Sequence, residues 1–312
     1  MDRVLILIHF FMFVKTLLAV VISRSHPSLL KTNEFQTSDG YVALEWNYEK
    51  NLGPRFWPFL YPGCAGISQS PVALRTVDAV SDPSLGPVEL FGYNNRYLTM
   101  KGFNNGHVVK FQVIAHAPPR PKPARLQNSR YAVDNSYHLA EIHIHWGNAN
   151  NRGSEHSLDG RYFPAEIHFV HKLSRLSMDQ ALNTPKGLAV LGAFIGIGQT
   201  DNPAYEPITA SLAGIMYKNM SNSLPFRETL RKLLPQDVSQ FFRYDGSLTT
   251  PTCNEVVVWT VYKNPVWISM RQMSSFRRLM KTYQNEPPQP LRDNFRPVQP
   301  INGRQIYKYG FH

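Results

Sequence analysis

The chain has 312 residues, of which 43% are hydrophobic and 18% charged, and its aromatic residues are 18 Phe, 15 Tyr and 5 Trp. This composition excludes an intrinsically disordered chain and a coiled coil, because such chains carry far less buriable aromatic surface. The net charge of +11 suits an acidic partner, but no recognition motif accompanies the basic residues, so we predict a basic solvated surface and no nucleic-acid partner.

The amino terminus is predicted to be a secretory signal peptide. Residues 4–22 are apolar, follow Arg3 and precede small residues, which is the order found in such signals. Lys15 interrupts the apolar run and disfavours a membrane span, although an uncleaved anchor stays open as an alternative. We expect a secreted protein with no stable membrane span after signal removal. We assign 1–25 to the signal, 26–40 to an extension, 41–308 to a single folded domain and 309–312 to a tail.

Cys64 and Cys253 are the only cysteines of the chain. In an oxidising compartment an even pair suggests one disulfide, and two separate buried thiols are the alternative. Asn219 begins the only acceptor sequon, Asn219-Met220-Ser221. It is a glycosylation candidate if the chain is secreted.

The rest of the chain is predicted to be mostly β. Residues 116–130 contain four prolines and four basic residues, which predicts an exposed loop. Alternating, glycine-punctuated or β-branched patterns predict strands over 137–146, 187–198 and 255–262. Helical spacing is confined to 225–234 and 270–281. The expected fold class is therefore mostly β (α+β), with small helices at the edge.

Two of the predicted strands carry alternating histidines. In the segment HLAEIHIHWG, the side chains of Glu141, His143 and His145 share one face; in PAEIHFVHK, those of Glu166 and His168 do. If the two strands are antiparallel neighbours, His168 completes a three-nitrogen site that leaves the fourth tetrahedral position of a zinc ion open. Histidines with purely structural roles are the alternative for either segment alone.

Seven short motifs follow one another along the chain. They are QSPV (69–72), NNGH (104–107), HIHWG (143–147), GSEH (153–156), AEIH (165–168), GSLTTP (246–251) and NFRP (294–297). In their order and rough spacing they resemble the alpha-class carbonic anhydrases, across roughly residues 46–307. The resemblance implies one domain on a large, twisted, mainly antiparallel central sheet with small peripheral helices. The implied activity is reversible hydration of carbon dioxide to bicarbonate and a proton.

The resemblance also implies the roles of the residues that do the chemistry. His143, His145 and His168 match the zinc ligands, and zinc-bound hydroxide is the implied nucleophile. Thr249 matches the threonine that accepts the hydroxide proton and donates its own to Glu155, which as a carboxylate can only accept.

Further matches concern the proton and the substrate. His107 matches the proton shuttle, because imidazole titrates near neutral pH; Tyr48 and Asn105 match residues that order the intervening water chain. Thr250 matches a contact to bicarbonate or inhibitors, so we expect sulfonamide-type inhibitors to bind. An apolar wall for carbon dioxide is implied at Val170, Val190, Leu248, Val257 and Trp259.

The chain departs from the family pattern at a few positions. Glu141 stands where the family usually has glutamine and, like Glu166 beside His168, suits the acceptance of a ring N–H from a zinc ligand. Cys64 and Cys253 lie where extracellular members carry their disulfide. No catalytic residue is missing, which disfavours a non-catalytic binding protein that uses the basic loop as its interface. A zinc peptidase is also disfavoured, because the sequence contains no HExxH motif. No oligomeric state is predicted.

Overall fold

The structure is a computed structural model that describes residues 45–49, 52–96, 98–116, 125–127 and 136–311. The chain divides into two compact units, Met1–Phe56 and Trp57–His312. The predicted signal peptide (1–25) and extension (26–40) lie outside the described residues, as does most of the predicted loop 116–130. In the described part of the first unit, the backbone N–H of Asn47 donates to the carbonyl of Leu52.

The second unit consists mainly of strands. In the described residues they are β1 (Ala73–Leu74), β2 (Val80–Ser81), β3 (Glu89–Phe91), β4 (Leu98–Asn104), β5 (Val109–His116), β6 (Arg125–Gln127), β7 (Tyr137–Trp146), β8 (Ser157–Leu158), β9 (Ala165–Leu173), β10 (Leu188–Gly198), β11 (Ser221–Phe226), β12 (Phe241–Gly246), β13 (Val257–Ser269) and β14 (Tyr307–Tyr309).

One large sheet holds most of these strands. Its order is β11-β4-β5-β7-β9-β10-β13-β12-β14-β2. In addition, β6 pairs with β7 and β3 pairs with β6. The strands β1 and β8 form a separate parallel pair. Within the large sheet, β10 with β13 and β14 with β2 are parallel, and the other pairs of described strands are antiparallel. The predicted mostly β fold on a mainly antiparallel sheet is confirmed.

Helices are short and lie between the strands. In the described residues, α-helices span Trp57–Leu60, Met178–Leu182, Glu206–Ser211 and Met270–Arg277, and 3-10 helices span Pro62–Ala65, Pro83–Leu85, Leu212–Ile215 and Leu230–Leu233. The predicted helix at 270–281 begins at Met270, after a capping box of Ser269 and Gln272, and ends at Arg277.

Two predictions of local structure are wrong. The segment 225–234 is not one helix, because Pro225 and Phe226 pair with β4 as the end of β11 and only Leu230–Leu233 turns helically. Pro225 is tolerated because β11 is an edge strand. Within the predicted loop 116–130, the three residues of β6 pair with β3 and β7 and are therefore strand.

The two faces of the sheet have different partners. Alternation along β7, β9 and β10 sends Ile144, Ile167 and Leu191 into the larger apolar cluster. The opposite face of β9 and β10 contributes Val170 and Val190 to a second, smaller cluster. The face that carries the second cluster also carries His168, which lies two residues before Val170 on β9. The sheet thus separates the main core from the histidine site.

A disulfide joins Cys64 and Cys253, which are far apart in sequence. Cys253 also donates its backbone N–H to the carbonyl of Thr250. The bond therefore ties the segment that follows β12, which carries Thr249, to the 3-10 helix Pro62–Ala65.

His171 shows how a histidine is accommodated in the main core. Its Nδ1 atom lies 2.9 Å from the carbonyl oxygen of Phe169; a carbonyl only accepts, so Nδ1 carries the proton. The Nε2 atom lies 2.6 Å from the hydroxyl of Tyr93, which can donate to it. Burial lowers the pKa of His171 to about 3, so the folded protein keeps this ring neutral well below neutral pH.

We expect the free energy of unfolding of the metal-free protein to fall as the pH is lowered from about 6.5 towards 3. In that window the unfolded chain binds a proton at His171 that the folded chain does not bind, at about 1.4 kcal/mol per pH unit. His171→Gln keeps a hydrogen-bonding group that does not titrate. The free energy of unfolding can be measured by urea unfolding between about pH 4 and pH 5.5. In the variant its slope against pH should be smaller by the equivalent of roughly one proton. An unchanged slope would contradict the assignment.

Candidate active site

Strands β7 and β9 place three histidines side by side. The strands run antiparallel, with His143 directly opposite His168, and His145 lies two residues further along β7, on the same face. The ring centroids are 4.9–5.1 Å apart in all three pairs. The antiparallel pairing on which the three-histidine site depends is therefore present. The nitrogens available to a metal lie within 4.8 Å of one another.

Each histidine has one ring nitrogen engaged by an acceptor. The Nδ1 atom of His145 lies 2.7 Å from the carbonyl oxygen of Asn294, and Nε2 of His168 lies 2.7 Å from Oε1 of Glu166. The Nδ1 atom of His143 lies 3.1 Å from a carboxylate oxygen of Glu141. These acceptors fix the proton on the outer nitrogen, so the lone pair of the other nitrogen points inward.

The inward nitrogens fit a tetrahedral zinc ion. The Nε2 atom of His143 and the Nδ1 atom of His168 are 3.2 Å apart, close to the about 3.3 Å expected for two nitrogens bound tetrahedrally at zinc–nitrogen distances of 2.0–2.1 Å. The Nε2 atom of His145 is buried and has no hydrogen-bond partner among the described residues. Burial lowers the pKa of His143 to about 3 and also lowers that of His145. Both are therefore neutral, as metal ligands must be.

Glu166 is the most heavily hydrogen-bonded carboxylate of the site. Its Oε1 atom accepts from ring nitrogens of His168 and His156, at 2.7 Å each, and its Oε2 atom accepts the backbone N–H groups of Glu155 and His156. Burial alone would raise the pKa of Glu166, but its contacts with His156 and His168 hold it well below the usual range. His156 had no predicted role; its presence in the GSEH motif was the available signal.

Glu141 lies between His143 and a lysine. Both of its carboxylate oxygens are 3.1 Å from Nζ of Lys110. Burial alone would raise the pKa of Glu141, but the contacts with His143 and Lys110 lower it to about 2. The predicted contact of Glu141 with His143 is thus found in the structure. Lys110 carried no sequence signal, because it lies on a different strand.

Glu155 and Thr249 are both buried, but they are not joined. The Oε1 atom of Glu155 accepts the backbone N–H of Arg296 at 2.8 Å. Its Oε2 atom lies 3.4 Å from Nε2 of His145 and has no hydrogen-bond partner among the described residues. Thr249 is 5% exposed, and no hydrogen bond joins its side chain to Glu155. The hydrogen bond implied between Thr249 and Glu155 is therefore not formed in this structure, although Glu155 keeps an oxygen that can accept it.

The residues assigned to the apolar wall come together. Val170, Val190 and Trp259 are in register across β9, β10 and β13. Val257 belongs to the same apolar cluster, and the half-buried Leu248 packs against it. The Trp259 ring lies 4.9 Å from the ring of His168, so this wall adjoins the three histidines. Thr250 is half-buried in the segment after β12.

His107 lies in the turn between β4 and β5. The side chain of Asn105 shapes this turn, because its Oδ1 atom accepts the backbone N–H groups of His107 and Val108 at 2.8 Å each. Burial, Lys218 and Lys110 lower the pKa of His107 to about 4. The sequence argument for a shuttle assumed an imidazole of ordinary pKa, and the structure differs on this point.

Asn294 connects the turn to the histidine strand. Its side-chain amide donates to the carbonyl of His107 at 2.9 Å, and its carboxamide oxygen accepts the backbone N–H of Trp146 at 2.8 Å. Together with its contact to His145, these bonds hold the turn against β7. Sequence analysis placed Asn294 in a motif but assigned it no role. Tyr48 belongs to the first unit, where its ring packs edge-on against Trp46.

Comparison with known proteins identifies the family of the chain. The family model of eukaryotic-type carbonic anhydrases matches residues 52–310. The chain belongs to this family. Human carbonic anhydrase 12 is 37% identical over 271 residues, which cover 84% of this chain and 72% of the relative. Human carbonic anhydrase 3 is 34% identical, covering 85% and 98%, and mouse carbonic anhydrase 7 is 35% identical, covering 84% and 96%.

Membership of the carbonic anhydrases supports the corresponding activity, the hydration of carbon dioxide. The three histidines on β7 and β9 are the group in the described residues that fits the metal of such an enzyme. In a second group, His156, Glu166 and His168, the possible ligand atoms also lie within 4.8 Å of one another. Its nitrogens are engaged by Glu166 and by the hydroxyl of Tyr244 instead.

Proposed function

We propose that the protein is a zinc enzyme that hydrates carbon dioxide reversibly to bicarbonate and a proton. The observation that carries the proposal is the β7–β9 register, which brings one ring nitrogen of each of the three histidines within 4.8 Å of the others. When bound there, zinc lowers the pKa of a bound water and supplies hydroxide at neutral pH, as in carbonic anhydrases generally. His143, His145 and His168 hold the ion, and Glu141 and Glu166 orient two of the rings.

Thr249 and Glu155 orient the nucleophile in this proposal. Oε2 of Glu155 has acceptor capacity to spare, and a threonine hydroxyl donates one proton while accepting another. Rotation of the Thr249 hydroxyl towards Glu155 then leaves its lone pairs facing the reacting oxygen. The nucleophile is thereby aimed at the substrate carbon.

The apolar cluster beside His168 holds carbon dioxide. Carbon dioxide is a weak hydrogen-bond acceptor, so it is bound by an apolar surface that excludes water. This surface is formed by Val170, Val190, Leu248, Val257 and Trp259. Thr250, next to Thr249, contacts bicarbonate on its way out. A sulfonamide that reaches the metal would occupy the same space.

His107 carries the proton away in this scheme. It is half-buried in the turn fixed by Asn105 and Asn294, and its lowered pKa keeps the ring neutral and able to accept a proton. The same low pKa makes it a weak base. Proton transfer is therefore expected to limit turnover, and we include Tyr48 and Asn105 as residues that order water along the route.

We further propose that the enzyme is secreted, with 1–25 as its signal, 26–40 as an extension, 41–308 as its catalytic domain and 309–312 as a tail. The Cys64–Cys253 disulfide supports an oxidising compartment. Asn219 is exposed in a left-handed turn, where a glycan attached to it meets solvent. No helix in the described residues is long and apolar enough to cross a membrane.

We expect protein purified without added metal to contain about one zinc per chain. His168→Ala removes one of three ligands, so its zinc content should fall to near zero. The control is His138→Ala, because His138 is a half-buried histidine of β7 that lies outside the three-histidine group. Elemental analysis of the three proteins decides the matter, and retention of zinc by His168→Ala would count against the site.

Carbon dioxide hydration by the secreted protein tests the function as a whole. The activity should disappear when a chelator strips the metal and return when zinc is added back. A sulfonamide should inhibit the loaded enzyme, because its nitrogen competes for the same coordination position. A zinc-loaded protein that failed to hydrate carbon dioxide in a stopped-flow pH assay would refute the proposal.

His107→Ala should lower kcat more than kcat/KM, because kcat/KM covers only the steps up to bicarbonate release. Added imidazole buffer should restore much of the rate by accepting the proton from solution. Glu141→Gln is the contrast: it changes the acceptor of a zinc ligand, so its effect should fall on zinc affinity or kcat/KM and resist imidazole. Equal losses in both parameters for His107→Ala, without rescue, would return His107 to a structural role.

A further inference from the structure

Lys110 occupies a position that ties it to the histidine site. Strands β5 and β7 pair antiparallel with Lys110 directly opposite His143. Side chains that are opposite in such a pair share a face, and the residue two positions along is a diagonal neighbour within reach of a long side chain. Glu141 is that diagonal neighbour, and Lys110 Nζ lies 3.1 Å from each of its carboxylate oxygens.

The contact differs from an ordinary surface ion pair. The side chain of Glu141 is 18% exposed and that of Lys110 is 35% exposed, so solvent screens the two charges only in part. The same carboxylate lies 3.1 Å from Nδ1 of His143. Lysine, carboxylate and imidazole therefore form a continuous chain that ends at a proposed metal ligand.

The charges of this chain cancel. A carboxylate beside His143 places a negative charge close to the cation site, whereas a neutral amide, the usual family residue at this position, places none. We infer that Lys110 and Glu141 act as one charge-neutral unit, in which Glu141 positions His143 and Lys110 balances the charge of Glu141. This inference rests on the proposed zinc site. Neither residue contacts metal or substrate, so neither is catalytic.

If the two residues act as a unit, the two single substitutions should change the affinity for zinc in opposite directions. Glu141→Gln weakens the acceptor on His143 and leaves the ammonium of Lys110 unbalanced near a dication, which repels it. Lys110→Met leaves the carboxylate unbalanced, and a negative charge attracts the dication. The double variant has neither charge and keeps an amide acceptor for His143. A pair that served only to join β5 to β7 would give two equal losses of stability and no difference in zinc affinity.

The test is zinc affinity, measured by competition with a chelator on the full-length protein and its variants. Substitution of the outer partner of a metal ligand typically weakens binding by 10–100-fold. Glu141→Gln keeps a weaker acceptor for His143 but leaves the Lys110 ammonium unbalanced, so it should raise the Kd for zinc about tenfold or more. Lys110→Met should bind at least as tightly as the unaltered protein. The double variant should return to within about threefold of it. Lys101→Met, at an exposed position of β4, controls for the loss of a lysine.

Three outcomes would overturn the inference. The double variant could bind zinc as weakly as Glu141→Gln, or Lys110→Met could bind it more weakly than the unaltered protein. The third outcome is one Kd shared by the unaltered protein, the two single variants and the double variant. In each case the charges are not balanced across the pair. If the unaltered protein itself bound no zinc, the proposed function would fail instead. Circular dichroism of the metal-free proteins separates loss of affinity from loss of folding.

Discussion

The register of β7 against β9 is the constraint on which the site depends. Side chains alternate along a strand, so a slip of one residue would turn His143 and His145 towards the main core and bring Ile144 to the site. The apolar residues on the opposite face oppose such a slip, because Ile142, Ile144 and Ile167 are almost fully buried there. Packing of the core thus fixes the geometry of the three histidines that could hold a metal.

The second requirement is that buried polar groups be satisfied without charging the imidazoles. Glu166 can stay ionised in the interior because four donors from His156, His168 and the backbone reach its two oxygens. Asn294 satisfies His145 with a neutral carbonyl instead. The inward nitrogens of His143 and His145 remain unprotonated, since burial lowers the pKa of both rings.

Local pattern was enough to predict the strands and the shared face of the histidines. Period-two alternation is a property of each strand by itself, so β7 was predicted with its observed bounds. Lys110 and the contacts of Asn294 were out of reach, because they depend on which distant segments become neighbours. The helix predicted at 225–234 failed for the same reason: pairing with β4 outweighed the local spacing. The family resemblance supplied the wall residues, which alone look like ordinary core.

Burial has opposite consequences for the proposed metal ligands and for His107, the proposed proton acceptor. A ligand benefits when burial removes its proton, whereas a proton acceptor works best when its pKa lies near the working pH. The fall of the His107 pKa from 6.5 to about 4 corresponds to about 3 kcal/mol of lost proton affinity. Lys110 contributes to that loss, although its ammonium also balances Glu141. The Lys110 ammonium thus balances the carboxylate beside the proposed ligand His143 and at the same time lowers the pKa of the proposed proton acceptor His107. If both proposed roles hold, turnover reflects the balance between these two effects.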